Sequence, residues 1–377
     1  MKYIAYFDDK GYSNEDRLVS LAAVNKLKYI FSIFDKMNLS LGVFSASYSL
    51  ERKGFYKIKK YNLYKRVVVH LLPSFGCKNR ILKYVRIILT RIMLTVFLLL
   101  KTKKNEILIV YHSISFAKCM MILKKVKNVR IVLELEEIYQ DVQKLSAREI
   151  KNENKLIELA DAFLFPSNLL NSKFNVLNKP FTIIYGTYCV GKKYPKRFED
   201  GRIHIVYSGT LDPRKGGALA AAAAEFLDEH YHIHILGFGS KNEKKLLENT
   251  IEETRSRSSC VLSFDGELRG EEYTSFLQRC DIGLSTQNPE ALFNDTSFPS
   301  KILSYLANGL RVVSIKIPAI EETPFSNLIE FYNTNTPEVI AQTIKHIDCS
   351  AQYNSREMIR YMDLNFRNDL MKLLEEV

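Results

Sequence analysis

The 377 residues are long for one domain and comfortable for two, and at 46% hydrophobic and 25% charged they exclude a disordered or fibrous chain. Six scattered cysteines include no pair at metal-ligand or redox spacing, which removes zinc-ribbon and dithiol chemistry and suits a reducing cytoplasm. A net charge of +12 asks for an anionic partner: nucleic acid, an acidic membrane surface or a phosphorylated substrate.

In chain order, Met1 to Asp9 reads as a short strand, Tyr3–Phe7, ending in acids. It lacks the long apolar core and small-residue cleavage site of a signal peptide. Further strands are expected at Leu41–Ser45, Val67–Leu71, Ile107–Tyr111, Val129–Glu134, Ala162–Pro166 and Thr182–Tyr185, with helices between them such as Asn25–Asp35. Ile81 to Leu100 is strongly apolar but interrupted by Lys83, Arg86 and Arg91, too many cations for a spanning helix of about 20 apolar residues. On a helical wheel Arg80, Lys83, Arg86, Arg91 and Lys101 share one side. Residues 80–104 therefore read as a basic amphipathic helix. It either packs its apolar face on a sheet or lies on an anionic membrane surface.

The basic, polar run 191–200 is the expected linker. Beyond it the pattern restarts, with strands at Ile203–Ser208, His232–Leu236, Val261–Phe264, Ile282–Ser285, Arg311–Ile315 and Leu328–Phe331 and helices such as Ala218–Glu229 and Tyr273–Arg279. This alternation predicts an α/β protein of two parallel-sheet units, spanning 1–190 and 201–354, followed by a helix over 355–377. Ligands of such sheets are expected at the strand carboxyl ends, facing a cleft between the domains.

The second half carries the candidate chemistry. Val206-Tyr207-Ser208-Gly209-Thr210-Leu211-Asp212-Pro213-Arg214-Lys215-Gly216-Gly217 is a strand, a glycine turn and a basic loop; Arg214 and Lys215 are placed to neutralise phosphate. Gly237 and Gly239 end a second strand, and Gly266-Glu267-Leu268 follows a third. In the block Ser297 to Ser314, Pro299 and Ser300 suit a helix start with serine as cap, and Gly309 suits its end. Such a start offers free N–H groups and a positive dipole end to phosphate, with Lys301 adding charge. Alone each turn equally fits a plain βα connection; together they line one rim of one sheet. His230, His232 and His234 alternate at strand spacing and read as structural, since no second ligand cluster lies nearby in sequence. Glu134, Glu136 and Glu137 end a strand, facing either a cleft or solvent. The basic residues are not interleaved with a stacking platform, which argues against nucleic acid. The first strand lacks the Gly-x-Gly-x-x-Gly turn of a dinucleotide oxidoreductase.

Taken together, these blocks resemble the family-4 retaining glycosyltransferases of the GT-B fold, two Rossmann-like domains facing a central cleft. The match runs in order through Gly209–Lys215, Gly237/Gly239, Phe264–Leu268, Cys280-Asp281-Ile282-Gly283-Leu284-Ser285 and Pro299–Ser314. The N-terminal half is similar, less specifically, to bacterial members that build capsule or O-antigen polysaccharide, through Asn14–Ala23, Leu108–His112, Val132–Tyr139, Ala160–Ser167 and Ile183–Gly186.

The resemblance implies transfer of a sugar from a UDP- or GDP-linked donor to a saccharide or polyprenyl-linked acceptor, with retention and no metal or other cofactor. Lys215 would grip the diphosphate. The family's arginine five residues earlier is here Thr210, with Arg214 as a substitute. Gly209, Gly237, Gly239 and the backbone of Gly266, Glu267 and Leu268 would line the donor, and Ser300 and Lys301 would hold phosphate or sugar. Two glutamates eight residues apart, common in the family, are here Thr296 and Ser304, which also opens the reading of a non-catalytic scaffold. Gly11, Ser13 and Asn14 would form the acceptor-side loop. No catalytic residue is fixed; its candidates are Glu136 and Glu137, one of which would lie near the acceptor, and Asp295, which could contact the sugar. The expected setting is cytoplasmic, with residues 80–104 peripheral at the inner face of the membrane, and the helix over 355–377 crossing back to the first domain.

Overall fold

The computed structural model describes residues 1–9, 12, 15, 17–49, 54–136, 138–194, 197–291, 294 and 298–377. Of the expected site residues, Gly11, Ser13, Asn14, Glu137, Asp295 and Thr296 lie outside these. The chain divides into two compact units: Met1–Tyr185 with Asn365–Val377, and Gly186–Leu364.

The first unit is built on an eight-stranded sheet. Its strands are β1 (Lys2–Ala5), β2 (Leu41–Ser45), β4 (Lys59–Tyr64), β5 (Val67–Leu71), β7 (Ile107–Tyr111), β8 (Arg130–Glu134), β9 (Ala162–Phe165) and β10 (Phe181–Ile183), in the order β10-β9-β8-β7-β1-β2-β5-β4. A small ribbon pairs β3 (Gly54–Tyr56) with β6 (Ser74–Gly76). The central strands are continuous apolar runs such as Ile-Leu-Ile-Val-Tyr in β7, as expected where helices cover both sheet faces. The sheet is parallel except at one edge, where β4, a strand not expected from the sequence, pairs antiparallel with β5. Its sequence, Lys-Lys-Tyr-Asn-Leu-Tyr, alternates exposed and covered positions, and the lysines blunt the edge against further pairing. Helix α1 (Leu21–Lys36) starts four residues earlier than expected, because Ser20 caps the amide of Ala23.

Helix α2 (Arg80–Lys101) is capped by Asn79, whose side chain accepts from the amides of Ile81 and Leu82. Its inward stripe is Arg86, Thr90, Leu94 and Leu98. The wheel placed Arg86 on an outward cationic side; instead it is fully buried. Its guanidinium donates from Nη1 to the carbonyls of Ser49 and Phe75 and lies 4.2 Å from the Tyr48 ring centre. Helix α3 (Ala117–Lys127) packs beside α2, and α4 (Ala147–Leu159) packs on α3.

The second unit holds β11 (Ile203–Thr210), β12 (Tyr231–Phe238), β13 (Val261–Gly266), β14 (Ile282–Ser285), β15 (Arg311–Ile315) and β16 (Ile329–Tyr332), all parallel, in the order β13-β12-β11-β14-β15-β16. Helices α5 (Gly217–Ala222), α6 (Lys241–Arg255), α7 (Gly270–Arg279) and α8 (Lys301–Asn308) connect them. The helix expected over Ala218–Glu229 stops at Ala222 and tightens into a 3-10 turn through Phe226. In α9 (Ser355–Glu376), residues to Leu364 belong to the second unit and those from Asn365 to the first. There Phe366 stacks on Tyr29 at 6.2 Å and the Val377 carbonyl accepts from Arg130.

Candidate functional site

The six strands of the second unit follow the doubly wound order, which reverses between β11 and β14. A ligand crevice belongs outside the carboxyl ends of strands at that reversal. The residues there are Gly209 and Thr210 at the end of β11, the loop 211–216, and the first turn of α8.

The loop is held by its own chemistry. Asp212 accepts from the amide and side chain of Arg214, and the Arg214–Asp212 ion pair closes at 2.6 Å. That pairing holds the Asp212 carboxyl below its usual range, through the Arg214 hydrogen bond first. Thr286, just past β14, donates from Oγ1 to the Gly216 carbonyl at 2.7 Å. Gly216 sits at φ +82°, and a Cβ there would lie 1.7 Å from the Thr286 carbonyl oxygen, so only glycine fits. The Tyr207 hydroxyl donates to the carbonyls of Thr210 and Lys215, tying both ends of the loop to one ring. At Gly237 a Cβ would come within 2.4 Å of the Gly209 carbonyl, so the two strand ends meet backbone to backbone.

Lys301 opens α8 and runs back under this loop. Its Nζ lies 3.7 Å from the Tyr207 ring centre and 3.1 Å from where a Gly209 Cβ would stand. The Nζ is buried and has no hydrogen-bond partner among the described residues. Burial first, then the Lys215 charge, pulls its pKa down to about 7. The charge expected on Lys301 is therefore one that burial opposes while no anion is bound. A buried ammonium with only an aromatic face for company costs free energy that an anion would relieve. Ser300 is already helical at φ −55°, ψ −19° and makes no side-chain cap, contrary to expectation. Gly309 ends the helix at φ +88°, as expected.

Behind the rim is a hydroxyl network that sequence reading missed. Tyr305 accepts from the Ser208 amide at 2.8 Å and donates to the Leu284 carbonyl at 3.2 Å. Tyr273 Oη meets Ser208 Oγ at 2.9 Å and Ser304 Oγ at 3.3 Å, so the Ser304 hydroxyl is engaged inside the fold. The available signal was Gly283, an isolated strand glycine: a Cβ there would lie 2.4 Å from the Tyr305 ring. Gly266 adopts φ +75° at the end of β13, Glu267 pairs with Arg269 at 2.7 Å, and Leu268 lines a cavity of about 380 Å³ with Asp265, Phe276 and Arg279. Thr210 and Arg214 are exposed, while Lys215 is half-buried beside Lys301. Gly239 lies beyond β12, where a Cβ would meet Leu211 at 2.9 Å.

The three histidines expected to alternate along one strand separate in the structure. His230 precedes β12, is exposed and pairs with Asp228, whereas His204 from β11 joins His232 and His234, their ring nitrogens lying within 4.8 Å of one another. His232 stacks on His234 with centroids 3.8 Å apart, which sets the ring planes side by side rather than converging on one ion. Asp200, His204, His234 and Asp265 instead form a hydrogen-bonded chain with links of 2.8, 2.9 and 3.1 Å. Phe198 stacks on His204 at 3.9 Å beneath Arg279.

In the first unit, sheet order reverses beside β1, and β8 ends on Glu134. Glu134 is buried against the Tyr3 hydroxyl, and burial, with Glu136 beside it, pushes its pKa well up. Glu136 is held in an ion pair by Lys26, so of the expected strand-end acids the described pair faces a tyrosine and a lysine. His112, following β7, stacks on Tyr139 and lies 3.4 Å from Glu153.

No family model matches the sequence, and no curated protein is detectably similar to it in sequence. Solved structures are similar in fold over essentially the whole chain. One is described as trehalose-6-phosphate from E. coli bound with UDP-2-fluoro glucose: TM-score 0.70, 11% identity, covering 100% of this chain and 99% of that one. HepE of Anabaena in complex with UDP gives TM-score 0.67 at 13% identity with full coverage of both chains. A UDP-forming trehalose-phosphate synthase of Burkholderia xenovorans, in complex with glucose-6-phosphate, gives 0.61 at 11% identity, covering 100% and 96%. The fold of this chain is therefore that of the GT-B glycosyltransferases, two parallel-sheet α/β units.

Proposed function

We propose that the protein is a glycosyltransferase that moves a sugar from a UDP- or GDP-linked donor to a saccharide or lipid-linked acceptor. The observation that carries this is Lys301 Nζ, buried beside Lys215 at the reversal point of the second sheet. Two amines, the first turn of α8 and a glycine strand end form a cradle for a diphosphate. The solved structures of this fold that hold UDP or a UDP-sugar support the same ligand class.

Loss of the nucleotide leaves negative charge on the diphosphate, and Lys215, Lys301 and the helix dipole offset it without a metal. In a retaining, front-face reaction the departing phosphate oxygen takes the acceptor proton as the new glycosidic bond forms, so no protein base is needed. Donor contacts at Gly209, Gly237, Gly239 and Gly266–Leu268 belong to this proposal, as do a hexosyl donor, a role in capsule or O-antigen synthesis and a place at the inner membrane face. A second reading, a non-catalytic scaffold, is favoured by Ser304, whose hydroxyl is engaged by Tyr273 where the family carries a carboxylate.

Calorimetry of the full chain against a panel of nucleotide-sugars tests the proposal, followed by a nucleotide-release assay with lipid-linked and saccharide acceptors in the presence of EDTA. Binding and turnover are expected for one donor. Binding without turnover over every acceptor would favour the scaffold, and no binding to any nucleotide would overturn both the donor site and the reaction.

A further inference from the structure

Helix α2 is inverted relative to an ordinary surface helix. Arg86 and Thr90 face the core, while Ile81, Tyr84, Ile88, Ile92, Val96 and Leu100 are 50–77% exposed. Across the described chain 24 large apolar residues are exposed; nine lie on α2 and three more, Met121, Ile122 and Val126, on its neighbour α3. The two helices share part of this surface, because Tyr84, Ile88, Ile92 and Val96 of α2 and Ile122 of α3 line the same cavity, of about 1100 Å³. Its lining is largely apolar and carries three cations, Arg91, Lys118 and Arg148, against one acid, Glu149. Neither α2 nor α3 contains a single Asp or Glu, against Arg80, Lys83, Arg91 and Lys101 on α2, where Arg86 is buried, and four lysines in α3, of which Lys124 pairs with Asp161.

A patch of this size calls for a cover. A second copy of the chain would set cation against cation, whereas an anionic bilayer offers apolar chains to the patch and negative charge to its cations. No helix is long and apolar enough to cross a membrane, so the fitting mode is a helix lying in the interface plane. We infer that the α2–α3 face seats the protein on an anionic bilayer, and that the cavity between α2, α3 and residues 139–152 receives one apolar chain from it. The inference rests on the proposed membrane location and deepens it. Nucleotide binding, which belongs to the second unit, is the separate check that keeps the two apart.

The test uses the full chain and vesicles of phosphatidylcholine alone or mixed with phosphatidylglycerol. Co-sedimentation is expected with the mixed vesicles only, weakening as salt rises. Ile88→Asp with Ile92→Asp is expected to weaken it at least about tenfold, and Lys118→Glu to weaken it less, both with nucleotide binding unchanged. The chain has no tryptophan, so Ile122→Trp gives a clean reporter. Its emission should shift to the blue and be quenched by phosphatidylglycerol brominated in its acyl chain, while Leu246→Trp on the second unit should not respond. Failure to sediment with anionic vesicles, or binding indifferent to the Ile88/Ile92 change, would overturn the membrane seat. So would a concentration-dependent dimer abolished by that change, which would assign the face to self-association. Sedimentation without quenching of Ile122→Trp would overturn the chain site.

Discussion

Arg86 in the first unit and Lys301 in the second are both cations with buried heads, and they are held in opposite ways. Arg86 gives two hydrogen bonds from one nitrogen to backbone carbonyls and rests on Tyr48, all supplied by the fold. Lys301 has an aromatic face and a second lysine nearby, and among the described residues its amine has no acceptor. Arg86 Nε also lacks a partner, so the contrast lies in Nη1: a buried cation that the fold supplies with acceptors contributes to structure, and one supplied with none marks where an anion belongs. The same logic, with polarity reversed, applies to the uncovered apolar face of α2.

The sharpest test of this contrast is the pair Arg86→Ala and Lys301→Met. Arg86→Ala strips the partner from two carbonyls and leaves a cavity, and should lower unfolding free energy in urea by about 3–5 kcal/mol. Its effect on nucleotide affinity, measured where the variant is folded, should be negligible. Lys301→Met should leave stability unchanged or slightly raised, yet weaken nucleotide-sugar binding by about 30–100-fold, or about 2–3 kcal/mol, in calorimetry. If both variants lost stability alike, the distinction between the two cations would collapse.

Three smaller effects refine it. Lys215→Ala should weaken binding about tenfold, or about 1.4 kcal/mol, by removing one charge-assisted contact. Lys301 starts from a pKa of about 7, and a bound diphosphate raises it. The loaded site then holds more protons than the empty one above neutrality, so affinity should fall as pH rises, about fivefold from pH 7 to pH 8. Calorimetry in buffers of different ionisation heat should show the proton uptake, and Lys301→Met should flatten the profile. Arg214→Ala, at an exposed side chain paired with Asp212, should change stability by less than about 0.5 kcal/mol and affinity no more than about twofold.

Much of this was legible in the chain. Apolar runs at Ile107–Tyr111, Ile282–Ser285 and Arg311–Ile315 announced buried strands, and Gly309 announced a helix end, because period and backbone sterics act locally. The edge strand β4 was missed because a half-exposed strand rich in lysine carries no apolar run. The partner of His232 and His234 was missed because His204 meets them only through the parallel pairing of β11 with β12.

What the sequence by itself determined is the alternation of strands and helices, the glycines that let strand ends approach, and the basic, apolar character of residues 80–104. What only the tertiary structure decided is orientation: that Arg86 turns inward and Ile88 outward on one helix, and that Lys301 buries its amine under Gly209. Composition and period fix which residues can form a face. Only the packing of neighbouring elements sets the direction of that face, and with it which charges are left for a ligand to satisfy.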